Sequence, residues 1–149
     1  MNAFFQRIRF AIIIGSALLL IAQVAKAHEC TLSDVAGRYG YTSTGSIVTP
    51  PVGPFTAVGH VTFGESGTLS GAQTTSVAGN IVEETIQGTF IVKSDCTGSA
   101  TVLVYHGTTL ARSSKINLVW DIRQREARAI FLTPGTNISI AARQMTVDD

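Results

Sequence analysis

Apolar and polar residues alternate along most of this chain. Phe55, Ala57, Gly59, Val61 and Phe63 share one side of an extended segment, and Ile116, Leu118, Trp120 and Ile122 repeat the arrangement further on. A period of two puts successive side chains on opposite faces of a strand, whereas a helix with one buried side repeats at three and four. Between these segments stand chain-reversing residues: Pro50-Pro51-Val52-Gly53-Pro54, Gly64-Glu65-Ser66-Gly67, Ala78-Gly79-Asn80, Ser94-Asp95-Cys96-Thr97-Gly98, His106-Gly107 and Thr133-Pro134-Gly135. The pattern predicts eight strands, at 38–48, 55–63, 68–77, 81–92, 100–105, 115–122, 127–132 and 137–145. The one expected helical turn lies near 31–36, capped by Thr31 or Ser33.

Short connections make consecutive strands antiparallel neighbours. A weak repeat agrees: Gly59-His60-Val61-Thr62-Phe63 and Gly88-Thr89-Phe90-Ile91-Val92 are each followed, after four residues, by a threonine, Thr68 and Thr97, and both read as strand, tight turn, strand. Eight such strands either close into a barrel or divide into two packed sheets, and closure removes the unpaired edges that template aggregation. The expected fold class is therefore all-β, a single antiparallel eight-stranded barrel.

The first residues read differently. Arg7 and Arg9 precede a run over 10–21 that is uncharged and apolar but for Ser16, and Ala25-Lys26-Ala27 has the small-x-small pattern of a signal-peptidase site. The run is shorter than the roughly 20 residues needed to span a bilayer. A cleaved signal peptide over 1–27 is expected, with a barrel domain over 28–149, a secreted or periplasmic location and no membrane span in the mature chain. The whole sequence carries 11 basic and 10 acidic residues. Removing Arg7, Arg9 and Lys26 leaves 11 − 3 = 8 basic residues against 10 acidic, a formal charge of −2. No cationic field remains for wrapping phosphates, which argues against a nucleic-acid partner. Cys30 and Cys96 are the two cysteines. In an oxidising compartment they pair by default, and the closed loop removes roughly 4 kcal/mol of unfolded-state entropy in the chain-entropy model.

Alternation on the fourth strand sets Glu84 on the face of Val82, Ile86, Phe90 and Val92, with Glu83 opposite. A lone buried carboxylate is costly. Glu84 is expected either near a barrel mouth in water or against a donor or ligand in a cavity, with a raised pKa. Gln73 and Thr75 share a face with Leu69 and Val77, and Trp120 lies on the apolar face of its strand, so Glu84, Gln73, Thr75 and Trp120 are the lumen candidates. An interior with a few polar groups suits a small hydrophobic ligand.

From Cys30 onward the chain resembles a group of small exported bacterial proteins with a barrel like that of allene oxide cyclase, within the calycin-like folds. The residues that carry the resemblance are Cys30, Gly37-Arg38-Tyr39-Gly40, the run from Gly59-His60-Val61-Thr62-Phe63 through Gly64-Glu65-Ser66-Gly67 to Thr68-Leu69-Ser70-Gly71, Gly88-Thr89-Phe90 and Asp95-Cys96-Thr97-Gly98. They are mainly turn and cysteine residues, so the resemblance implies architecture and carries no catalytic residue over. Lipocalins, related in shape, open with Gly-x-Trp where this chain has Gly37-Arg38-Tyr39. The late arginine that packs on that ring in lipocalins would correspond to Arg143, suggesting a Tyr39–Arg143 stack.

No Gly-x-Ser-x-Gly, His-Glu-x-x-His, Walker or dinucleotide motif occurs, so no cofactor is expected. Glu83 and Glu84 point to opposite faces and cannot flank one glycosidic bond. Arg123, Arg125 and Arg128 surround a hairpin turn with Glu126, read as a solvated turn. Asn137-Ile138-Ser139 matches a glycosylation acceptor, relevant only in a eukaryotic secretory route. A mature chain starting at His28 could offer its amine and ring nitrogen to copper, but His60 and His106 are not placed near it by sequence. The expectation is a binding or structural module. An isomerase or cyclase acting on an unsaturated lipid-like substrate is the alternative, and copper binding through His28 a remote one.

Overall fold

The computed structural model describes residues 29–50 and 52–146. The proposed export segment and His28 lie outside them. The elements are a single helical turn, α1 (Leu32–Val35), then β1 (Gly37–Ile47), β2 (Gly53–Phe63), β3 (Thr68–Val77), β4 (Asn80–Val92), β5 (Thr97–His106), β6 (Thr109–Asp121), β7 (Glu126–Phe131) and β8 (Thr136–Gln144). Each strand pairs antiparallel with the next and β8 returns to β1, so the sheet is a closed barrel. Both flanks of β1 are occupied: Gly37↔Phe63 to Ile47↔Gly53 on one side, Tyr39↔Gln144 to Ile47↔Thr136 on the other. Among the described residues no helix is long and apolar enough to cross a membrane.

Six strands lie within two residues of their expected bounds. The β5–β6 hairpin does not: β5 starts at Thr97 and β6 at Thr109, so residues expected in a loop are paired almost to the His106–Thr109 turn. Periodicity missed this stretch because its inward residues are Arg112 and Ser114 rather than apolar ones. A β-bulge hides it further. Val104 pairs with Arg112 and Tyr105 with Leu110, leaving Ala111 without a counterpart. The extra residue shifts the alternation by one, so Leu110 turns outward and is exposed, whereas Arg112 stays in the inward series of Ser114 and Ile116.

At the end where β1 begins, Phe63 meets Tyr39, Phe90 and Trp120 at centroid distances of 5.5, 4.9 and 5.8 Å in edge-on contacts. Below this floor Val35 of α1 is fully buried. Thr31 caps the turn with Asp34, whose Oδ2 accepts from the Thr31 backbone N–H at 2.8 Å and from its hydroxyl at 2.6 Å. Cys30 and Cys96 are bridged, with Cα atoms 5.1 Å apart, and the Cys30 N–H donates to the Ser94 carbonyl at 3.0 Å. The plug is thereby fastened to the β4–β5 turn. At the other end a smaller apolar group, Phe55, Ala57 and Ile138, packs with Ile47, Val77 and Phe131.

Gly71 and Gly88 occupy inward positions where a methyl group would collide with the carbonyl oxygens of His60 and Thr101. Glycine there lets neighbouring strands coil tightly enough to close the sheet. The Tyr39–Arg143 stack does not form. Tyr39 is inward and buried, whereas Arg143 pairs with Gly40 and lies exposed on the outer face.

Candidate functional site

The polar residues of the lumen gather on β3 to β6. Register sets Gln73 of β3 directly opposite Glu84 of β4. His106 ends β5 in the same alternation as Val102 and Val104, and Arg112 of β6, next in the inward series after Ile116 and Ser114, pairs beside Val104. Glu84 is only 4% exposed, so the carboxylate does not stand in a watery mouth; it meets donors, as the second expectation had it. Its Oε1 accepts from Arg112 Nη1 and from His106 Nε2, the latter at 2.9 Å. Its Oε2 accepts from Arg112 Nη2 at 2.8 Å and from Gln73 Nε2 at 2.6 Å. An ionised carboxylate accepts and does not donate, so His106 carries a proton on Nε2. The Gln73 amide passes the chain on: its Oε1 accepts from the Tyr41 hydroxyl at 2.6 Å.

This geometry reverses the expected sign of the Glu84 shift. Burial is the largest influence and pushes the carboxyl up, but hydrogen bonds from Arg112, His106 and Gln73, with the Arg112 charge, together outweigh it and hold the pKa below the ordinary carboxylate value. Tyr41 moves the other way. Burial foremost, and then the Glu84 charge, raise its pKa far above the usual tyrosine value against the opposing pull of Arg112, so the phenol stays neutral and donates. The bidentate Arg112–Glu84 pair is neutral as a unit and two-pronged, the strongest form of a side-chain ion pair.

Beside this network the barrel holds a cavity of about 70 Å³. That is roughly half the volume of an engineered apolar cavity that admits benzene. Val61, Leu69, Ile86 and Leu118 contribute to its apolar walls, and Tyr41, Ser43, Gln73, Arg112 and Ser114 are its polar lining. Arg112 joins the cavity to solvent, since its side chain is 36% exposed. Glu84 does not itself line the space. Gln73 and Arg112 stand between it and the cavity.

The remaining candidates fall elsewhere. Thr75 is buried, but its hydroxyl is turned to the Val82 carbonyl at 3.4 Å and it does not line the cavity. Trp120 is buried in the aromatic floor, its indole N–H without a partner among the described residues. Glu83 is exposed on the outer face, as alternation requires. Arg128 is solvated and lies 3.6 Å from Glu126 beside the β6–β7 turn. Among the described residues no three His, Cys, Asp or Glu side chains cluster as a metal site.

Arg112, Tyr41, Ser43 and Ser114 line the cavity and His106, half exposed at the end of β5, reaches Glu84, and pattern reading selected none of them as lumen candidates. One signal pointed to Arg112: an inward glutamate needs a cation nearby, and the tight His106-Gly107 turn brings β6 back alongside β5. Comparison of the chain with protein-family models, with curated proteins and with solved structures returned no match.

Proposed function

We propose that this is an exported binding module that holds a small amphipathic molecule in the barrel lumen. The observation that carries the reading is the cavity of about 70 Å³, walled by apolar side chains and bordered on one side by Tyr41, Gln73 and Arg112. An apolar pocket with a few convergent polar groups is the usual form of a small-molecule site. Arg112 lines the cavity and also reaches solvent, its side chain being 36% exposed. The bridged Cys30–Cys96 pair is compatible with an oxidising, exported setting. The resemblance to allene oxide cyclase-like barrels points to the same kind of lumen.

Binding is preferred to the cyclase alternative because the titrating groups are occupied. Glu84 accepts four hydrogen bonds and Tyr41 is engaged with Gln73, so neither is free to exchange a proton with a substrate. Native mass spectrometry of the protein purified from its own host tests the proposal, with Ala129→Phe as the comparison because Ala129 lines the cavity. A retained small molecule on the wild-type protein, absent from a folded Ala129→Phe variant, is the expected result. Wild-type protein that carries no adduct and takes up no added amphipath overturns it.

A further inference from the structure

We infer that the lumen selects an uncharged, oxygen-bearing apolar molecule, such as an alcohol, aldehyde or ketone, and rejects the carboxylate of the same chain length. The inference deepens the binding reading and rests on it. A barrel that holds an acid needs a cation free to meet the carboxylate in a place stripped of water. Arg112 is the one cationic side chain lining this cavity, and both its terminal nitrogens already donate to Glu84. A second carboxylate would enter beside a pair that is already neutral and would find no opposite charge of its own. An amine fares no better. Glu84 lies behind Gln73 and Arg112, and its two oxygens already accept four hydrogen bonds.

What the cavity does offer is hydroxyl groups. Ser43 is 2% exposed, lines the cavity, and its Oγ has no hydrogen-bond partner among the described residues. Ser114 on β6 is also buried and lines the same space. A buried hydroxyl without a partner is unfavourable by itself, and almost all such groups in folded proteins are satisfied. The oxygen of a neutral ligand supplies the missing partner: it can accept from Ser43 or, as an alcohol, donate to it. The apolar walls take the carbon chain.

The test uses hexan-1-ol and hexanoate as probes at pH 8, with binding followed by amide chemical-shift titration of the wild-type protein. Hexan-1-ol is expected to bind at least about tenfold more tightly, the difference a desolvated charge without a partner imposes. Ser43→Ala is expected to weaken hexan-1-ol about fivefold, one neutral hydrogen bond, without lowering the urea midpoint of the free protein. Glu84→Gln frees the guanidinium, so hexanoate affinity should rise about tenfold while that of hexan-1-ol changes little. Hexanoate binding to the wild-type protein as tightly as hexan-1-ol overturns the selection and leaves lumen binding standing. If neither probe shifts a cavity-lining resonance, both the selection and the binding reading fall. The wild-type comparison decides the matter even if Glu84→Gln does not fold.

Discussion

Where β1 begins, the barrel is closed by α1, the Cys30–Cys96 bridge and the rings of Tyr39, Phe63, Phe90 and Trp120, whereas between β3 and β6 at the other end Gln73, Glu84, His106 and Arg112 form the closure. The first closure rests on apolar burial and a covalent link, neither of which depends on a titrating carboxylate. The second rests on charge and hydrogen bonds, which fail together if one member is lost, because each buried polar group needs the others. The contrast separates support from the proposed recognition: the aromatic end is filled, and the free volume and the Ser43 hydroxyl, without a partner among the described residues, lie toward the polar network.

The largest expected effect breaks the covalent end. Replacing both cysteines by serine should lower stability by about 4 kcal/mol in the chain-entropy model, read as the urea midpoint followed by the fluorescence of Trp120, the chain's one tryptophan. An unchanged midpoint would show that apolar contacts alone hold the plug.

Next comes the charged end. Arg112→Met leaves Glu84 buried beside fewer donors and should cost about 3 kcal/mol, the lower part of the range for a broken buried pair because Arg112 is partly exposed. Combining it with Glu84→Gln should recover most of that loss, since two neutral side chains replace the pair. A double variant no better than the single one would mean that Arg112 acts through packing alone.

Acid distinguishes the two ends more gently. The folded Glu84 pKa is depressed, so the stability this group contributes is present above its unfolded value near 4.3 and is lost as pH falls through the lower folded value. Urea unfolding at pH 3, 5 and 7.5 should therefore show a weakening below pH 4.3 that is smaller in Glu84→Gln and unchanged in the exposed control Glu83→Gln. Identical pH profiles for the two variants would remove Glu84 as its source.

The smallest effect has the opposite sign. Ser43→Ala deletes a buried hydroxyl with no partner among the described residues and should stabilise the ligand-free protein by up to about 1 kcal/mol. Destabilisation by the same amount would mean that the hydroxyl already has a partner in solution.

The alternation of Phe55 to Phe63 and of Ile116 to Ile122, with turn residues between the segments, determined an eight-stranded antiparallel sheet and put Glu84 inside it, because side-chain direction in a strand follows from the count of residues alone. The pairing of Cys30 with Cys96 was legible too, since two cysteines allow one intramolecular bridge. The partners of Glu84 were not legible. Arg112 follows the inward alternation of Ile116 and Ser114, but its place near Glu84 is set by the β5–β6 register, Gln73 is brought there by the β3–β4 register, and Tyr41 reaches from β1 past Gly59 of β2 to Gln73 of β3. The sign of the Glu84 shift depended on those partners, because burial and hydrogen bonding oppose each other and only the three-dimensional arrangement decides which prevails.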